Sequence, residues 1–330
     1  MKRPVIKVIL LFMGIHLLSS WGFLVHKTVN QLAVYQLPIK MRPFFFSNMN
    51  YIVENAIRPD QRRNTDSTEA PKHFIDLEAY GDSAAWKMPM DWDQAVKQYS
   101  KDTLLKYGYV PYHIIVMKDR LTHALRNNLK DSILFYATDL GHYIGDANVP
   151  LHTSINYDGQ LSDQKGLHSL WESMIPEMEI DQYSLKGQRK AEYLKDPKLA
   201  VWQAIRHAHT LLKDVFSQEK QASAGFSDST KFRVQVRRGR EVKSFTSEFA
   251  KSYSKRLGNT IQEQIMNSAN MIADFWYTAW VDAGKPDLDN ISNLFDKAKK
   301  KAMRVETKAY RKDQLLDRKL MLGKAAAASD

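Results

Sequence analysis

The stretch LKDSILFYATDLGHYIGDANVPLH, residues 129–152, decides the reading of this chain. Leu129 to Asp146 is richly apolar with helical spacing, and the helix must end near Val149-Pro150 because proline has no backbone N–H to continue it. His142 and Asp146 are four residues apart, so they share one helical face. His152 falls just past the break. A histidine and a carboxylate one turn apart can hold a hard or borderline cation. The same spacing also suits a plain hydrogen bond on a helix surface, and this segment alone leaves both readings open.

The surrounding chain repeats the pattern. In His168-Ser169-Leu170-Trp171-Glu172 a histidine and a carboxylate are again four apart, 16 residues after His152 and beyond a polar loop, Asn156 to Gly166. His73-Phe74-Ile75-Asp76 puts another histidine beside carboxylates, with Asp60 13 residues upstream. His26 stands near the start. His113 and His123 have no carboxylate at ligand spacing, and His207 and His209 are two apart on different helix faces. These four read as structural or surface residues.

Only 14 glycines and 11 prolines occur in 330 residues, and no window alternates cleanly with period two, so the expected fold is all-α. Helices are expected over His26–Leu37, Met41–Ile57, Trp92–Tyr99, Val110–Asn127, Leu129–Asp146, Gly166–Met178, Pro197–Gln218 and Ser244–Ala283. Arg58-Pro59 is read as a stop followed by a polar loop, Asp60 to Pro71. Residues 73–92 read as irregular, and Glu219 to Lys243 as a polar, basic linker. Gly284-Lys285-Pro286 is a stop signal. It divides residues 21–285, the expected helical body, from 286–330, a charged helical extension expected to be a solvated arm or an attachment to an anionic surface. Ala325 to Asp330 is expected to be disordered.

Residues 1–20 read as a secretory signal: Lys2, Arg3 and Lys7, then an apolar run from Val8 to Leu18, then Ser19-Ser20 before Trp21. An uncleaved signal anchor is the alternative. Export to the periplasm or the extracellular space is expected. Cysteine is absent, which excludes disulfides, haem attachment and thiolate metal sites, so any metal must be held by His, Asp, Glu and main chain. The formal charge is +11, and removing the three basic residues of the leader leaves +8. A mildly basic body suits an anionic substrate, or is a solubility surface.

In this order the residues resemble the superfamily of bacterial zinc-dependent phospholipases C and fungal single-strand-specific nucleases of the S-one/P-one type. The resemblance spans Trp21 to Glu172, with helices to about Ala283 filling out the same fold. It implies a multi-helix fold with an active-site cleft holding three zinc ions. By carry-over, one zinc takes Asp60, His73, His142 and Asp146. A second takes the Trp21 amino nitrogen and carbonyl, His26 and the bridging Asp146. A third, more open zinc takes His152, His168 and Glu172. Asp60 and Asp146 are the expected catalytic carboxylates. A water between two zincs can lose a proton near neutral pH to become a nucleophile. Asp76 is either an orienting partner of a ligand or a plain surface carboxylate.

Phe74 is a candidate to stack a base or pack a lipid head group, or is a core aromatic. Arg58, Arg62 and Arg63 flank Asp60 and are candidates for phosphate contact, or form a solvated loop. Trp-Gly-x-x-x-His resembles the nuclease branch, whereas Glu172 in place of aspartate resembles the phospholipase branch. The lack of cysteine departs from the fungal nucleases. The expected activity is hydrolysis of single-stranded nucleic acid or 3′-nucleotides. The alternatives are a phospholipase C and a secreted zinc-binding protein without catalysis. No obligate protein partner is expected.

Overall fold

The computed structural model describes residues 22–237, 240–291 and 295–323. The expected leader, Trp21 and the expected disordered end at 325–330 lie outside the described residues. In chain order the helices begin with α1 (Phe23–Gln36), α2 (Arg42–Ser47), α3 (Met49–Asn55), α4 (Arg58–Arg62), α5 (Ala84–Lys87), α6 (Trp92–Tyr99) and α7 (Lys101–Tyr107). There follow α8 (Val110–Arg126), α9 (Lys130–Ala147), α10 (Leu167–Ser169), α11 (Ile175–Glu179), α12 (Pro197–Ser223) and α13 (Asp228–Lys231). A hairpin of β1 (Phe232–Arg237) and β2 (Arg240–Phe245) precedes α14 (Ser247–Leu257), α15 (Thr260–Asp282) and α16 (Lys297–Arg311).

The centre is made by α1, α8, α9 and α15, which pack on one another. Ile114, Leu121 and Leu125 of α8 meet Ile133, Leu140 and Ile144 of α9, all fully buried. Each such side chain contributes roughly 1.5–3 kcal/mol of burial. Trp276 of α15 donates its indole N–H to the Ala137 carbonyl of α9 at 2.9 Å and stacks on Phe45 of α2. α12 lies across α8 and the tight turn at Pro150–Thr153.

Two glycines explain how α1 approaches α9. A Cβ on Gly141 would sit 2.1 Å from Asn30 Oδ1, and one on Gly145 would sit 3.0 Å from His26 Nδ1. Glycine costs a helix interior about 1 kcal/mol relative to alanine. Here two glycines four apart open a groove on α9 into which two residues four apart on α1, His26 and Asn30, fit.

The fold is predominantly helical, as expected, with several corrections. The expected helix over Met41–Ile57 breaks at Asn48, whose side-chain amide donates to the Phe44 carbonyl and competes with the helix ladder. Pro59 opens α4 instead of ending a helix, because the first turn needs no N–H from it. Asp60 therefore lies on a helix, not in a loop. The expected helix over Ser244–Ala283 divides at Gly258, which has positive φ. Helix α7, capped by Ser100, falls in a stretch without a strong apolar period. The basic linker is instead the end of α12, α13 and the hairpin; Phe232-Arg-Val-Gln-Val-Arg237 does alternate with period two. The C-terminal segment is not a solvated arm. Tyr310 of α16 stacks on Tyr35 of α1, Tyr35 donates to Glu306, and Met303, Leu315 and Met321 are buried.

Candidate metal centre

Three groups of donors converge in one cleft: Asp60 with His73 and His142; His26 with His142 and Asp146; and His152 with His168 and Glu172. They are assembled from α1, α4, the loop before residue 77, α9, the turn after it, and the segment 167–174. In the first group His73 Nδ1 lies 3.1 Å from His142 Nε2, 2.9 Å from Asp146 Oδ2 and 3.6 Å from Asp60 Oδ1. His142 Nε2 lies 3.4 Å from Asp146 Oδ2 and 3.7 Å from Asp60 Oδ1. A tetrahedron of nitrogen and oxygen ligands about 2.0–2.1 Å from zinc has edges of about 3.3–3.4 Å. The donor separations fit that size.

Hydrogen bonds fix which nitrogen faces the cleft. A carbonyl oxygen only accepts, so His142 Nδ1 donates to Ala56 O at 2.8 Å and His152 Nδ1 donates to His73 O at 2.7 Å. Both Nε2 lone pairs are thereby turned inward. His73 is the reverse: Nδ1 faces the cleft, and Nε2 lies 3.5 Å from Glu69 Oε1, both residues being 1 % exposed. Glu69 also accepts from Lys72 at 2.7 Å, from Arg62 at 3.2 Å and from the Tyr143 hydroxyl. Burial alone would raise the Glu69 carboxyl, but His73, Lys72, Tyr143 and Arg62 together hold it well below the usual range. Arg62 and Arg58 both pair with buried Asp139, at 2.8 and 2.5 Å. Several such partners are what an orienting layer behind ligands needs.

Glu172 joins the two ends of the cleft. Its Oε2 lies 2.6 Å from His168 Nε2 and 3.4 Å from His152 Nε2, while its Oε1 lies 3.7 Å from His26 Nε2. His26 Nε2 is also 3.4 Å from Asp146 Oδ1, and its ring stacks on His142 at 3.9 Å. Glu172 sits on a π-helical turn, Leu170–Met174. Pro176 supplies no N–H for the Glu172 carbonyl and its ring would crowd it in a regular α-helix, so the turn widens. This departs from the regular helix expected over Gly166–Met178.

The electrostatics are those of a site built for positive charge. Burial opposes ionisation of Asp146, yet His142, His152 and His73 hold its carboxyl below the usual range. Burial lowers the His152 imidazole, and Asp146 and Glu172 overcome it to push the pKa up to about 9. Burial and His26 push His142 down to about 4. Neutral imidazoles and carboxylates without thiolate suit zinc.

The remaining candidates separate. The Arg62 guanidinium pairs with Glu69 and Asp139 and donates to the Tyr143 hydroxyl. Arg58 likewise faces Asp139 and the Phe135 ring. Arg63 is half exposed, 3.7 Å from Asp60 Oδ1. Phe74 is partly buried against Gly108, where a Cβ would lie 2.6 Å from its ring. Asp76 joins none of the three groups; burial, aided by Glu78, pushes its carboxyl up to about 6. His113 is buried against Tyr143, and His209 meets Thr153 Oγ1 at 3.2 Å, one residue past His152.

Sequence reasoning did not reach Glu69, Asp139 or Tyr143. Asp139 and Tyr143 share a face of α9 with Asp146, which the spacing does signal; Glu69 lies outside any regular helix, but it stands four residues before His73, the same spacing as His142 and Asp146. It also passed over two exposed aromatics at the open end, Tyr157, whose ring is 5.9 Å from His168, and Trp86, whose ring is 6.2 Å from His209.

No curated protein matches the chain. The family described as S1/P1 Nuclease matches residues 21–279, most of the chain and every residue of the three donor groups. The chain belongs to the S1/P1 nuclease family of phosphate-ester hydrolases.

Proposed function

We propose that this chain is an exported, zinc-dependent nuclease and 3′-nucleotidase of single-stranded nucleic acid. The observation that carries the reading is the pairing of a closely packed donor cluster with a second, more accessible one. Asp60, His73, His142 and Asp146 would hold one zinc, and His26 and Asp146 a second with the Trp21 amino group and carbonyl. His152, His168 and Glu172 would hold the third. Gly22 supports the Trp21 assignment: a Cβ on it would lie 3.5 Å from Glu172 Oε1, so the residue that follows Trp21 stands beside the donors. When bound, zinc supplies activation of water and stabilisation of charge on phosphoryl oxygens.

The chain's own groups do the rest. Asp146, 1 % exposed and between His26 and His73, fixes the spacing of the inner donors. Asp60, the most solvent-accessible carboxylate of the three donor groups, would take a proton from an attacking water. His168 is the partly exposed histidine of the outer group, which leaves that end open to a phosphate. Phe74, Tyr157 and Trp86 offer aromatic faces for bases, each stacking contact being worth about 1–3 kcal/mol.

Glu172 in place of aspartate favours the phospholipase reading and must be tested beside it. Metal-loaded protein beginning at Trp21 should hydrolyse single-stranded DNA, RNA and a 3′-nucleotide, and lose all three activities with chelator. Turnover of phosphatidylcholine alone overturns the proposal. Bound zinc well under three per chain overturns the metal assignment.

A further inference from the structure

Helix α16 lies beyond residue 279, where the match to the nuclease family ends, and neither the metal cleft nor the central helices account for its outer face. Its inner face is fixed. Tyr310 stacks on Tyr35, Met303 and Thr307 are buried, and Glu306 accepts from the Tyr35 hydroxyl at 2.8 Å. Asp296 caps the helix by accepting from the Lys299 backbone N–H at 2.8 Å. Asp296 and Glu306 are the only acidic residues from 296 to 312, and both are engaged in these contacts.

The outer face is a row of cations. Lys297, Lys300, Lys301, Arg304, Lys308 and Arg311 are all exposed. At about 3.6 residues per turn they fall within an arc of about 100°, where no other residue of α16 falls, and the row is about 21 Å long. Among the described residues none of the six pairs with a carboxylate. The row does not serve the helix itself: like charges one turn apart repel each other, and lysines in the first turn oppose the helix dipole. The positive field extends to α2. Arg42 donates to Leu37 O at 2.6 Å, and burial and the neighbouring Arg311 both hold its guanidinium below its ordinary value. In the turn before Arg42, Lys40 is exposed and Ile39 is 67 % exposed; at the edge of the row Val305 is 42 % exposed.

We propose that this cationic face of α16, with Arg42, Lys40 and Ile39 at its end, docks the protein on an anionic lipid bilayer. Clustered cations are drawn to an anionic leaflet, and aliphatic side chains among them enter between the head groups. A single-stranded polynucleotide is held by cations together with stacking aromatics, and α16 and the turn before α2 expose no aromatic ring. The buried side of α16 is committed to α1, so the helix adsorbs by charge and does not insert. Docking leaves the cleft free. The α1 donor of the cleft is His26, whereas α16 meets Tyr35, about 14 Å further along the helix. The docking is therefore separate from what the cleft hydrolyses.

The test is co-sedimentation with vesicles of phosphatidylcholine and phosphatidylglycerol in equal parts, and with vesicles of phosphatidylcholine alone. It compares zinc-loaded wild type beginning at Trp21 with K300Q/R304Q/K308Q/R311Q, with the charge-keeping R304K/R311K and with I39S, after checking equal melting temperature. Wild type should bind the mixed vesicles at about 150 mM salt, leave them at about 1 M, and ignore phosphatidylcholine. The quadruple glutamine variant should lose about fivefold in partition for each charge removed, roughly a hundredfold or more in all. R304K/R311K should keep wild-type binding, and I39S should weaken it by a smaller factor. Zinc content should stay the same in all four proteins. Wild type that does not bind the mixed vesicles, or glutamine variants that bind them as well as wild type, overturn the proposal and leave the row a solvated face. Equal binding to phosphatidylcholine alone, untouched by the substitutions, places the lipid contact at the cleft and also overturns it. So does a loss of single-stranded DNA binding in the quadruple variant with vesicle binding intact, which makes a polynucleotide the occupant.

Discussion

Behind His73 and His142 stand a buried carboxylate, a main-chain carbonyl and two arginines; at the other end of the cleft, His168 faces solvent on one side and Tyr157 on the other. The donors at both ends are the same, imidazoles and carboxylates. The inner end has its donors oriented before any ligand arrives, through Glu69, Ala56 O and Asp139. At the outer end the His73 carbonyl orients His152, and the only carboxylate of the group, Glu172, sits on a widened turn. A cleft built this way keeps its geometry at one end and is open to solvent at the other. The difference lies in the surrounding partners and not in ligand identity.

The sharpest way to break this comparison is to remove one carboxylate from each end. Asp146 lies within 3.4 Å of His26, His73 and His142. Asp146→Asn should lower turnover by roughly 10³-fold or more, since residues acting as a unit fail together. It should also strip more metal than Glu172→Gln. The approach of Glu172 Oε1 to His26 moderates the contrast, so Glu172→Gln should loosen metal at both ends. Elemental analysis and turnover on the two purified variants measure this. Equal, near-complete zinc in both would remove Asp146 from its bridging position.

A smaller effect is expected one layer further out. Glu69→Gln keeps the shape of the side chain and removes the charge opposite His73 Nε2. Zinc affinity at the inner end should fall about 10–100-fold, measured by competition with a coloured chelator, while the outer end keeps its affinity. Glu69 also accepts from Lys72, Arg62 and Tyr143, so melting curves in chelator are needed to separate loss of folding from loss of metal. An equal loss at both ends would show that Glu69 supports the fold and not the ligand.

How much of this was legible follows from where the information sits. His142, Asp146, His168 and Glu172 sit at helical spacing, so the sequence alone puts each pair on one face. His26, Asp60 and His73 come from separate elements, and no period connects them; only the resemblance placed them together. Arg62 shows the limit. Beside Asp60 in sequence it reads as a phosphate contact, but α4 turns it toward Asp139 on α9, 77 positions away. The hairpin was missed for another reason: its alternation is carried by Arg, Gln and Val in a polar stretch, and charge masks a short strand. The tail was misread because α16 is charged over most of its surface and buries a narrow stripe that includes Met303 and Tyr310, the latter against Tyr35 of α1.

The two glycines of α9 test whether the inner end is set by helix approach. Gly141→Ala would place a methyl 2.1 Å from Asn30 Oδ1 in a buried contact. Overpacking costs about 1–3 kcal/mol, and the gain in helix propensity offsets up to about 1 kcal/mol. A net loss of about 1–2 kcal/mol is expected in denaturant unfolding. Gly145→Ala meets only the edge of His26 at 3.0–3.2 Å. It should cost less stability and act on metal binding through the displaced ring. If Gly141→Ala stabilises the protein, α1 is free to move away from α9 and the close approach is not what fixes His26.

The smallest effect concerns protons. Burial lowers the imidazoles of His152, His26 and His73, and neighbouring carboxylates outweigh it in all three, with His152 reaching about 9. His142 moves the other way, to about 4, through burial and His26. In metal-free protein the stability contributed by protonated His152 is complete below the unfolded value of about 6.5 and is lost as pH rises through about 9. His142 disfavours the folded state only as pH falls below about 6.5, so it does not act in the alkaline window. Metal needs neutral imidazole, so its hold strengthens over the same rise in pH. The gap in melting temperature between zinc-loaded and chelated protein should therefore widen between pH 6.5 and 9, by roughly a few degrees for a chain of this size. Paired melts across that range measure it. His152→Asn should flatten the chelated curve, because it removes an imidazole whose pKa is pushed up to about 9. A constant gap would mean that the metal-free cleft does not hold its imidazoles protonated, and that its carboxylates are balanced by other charges.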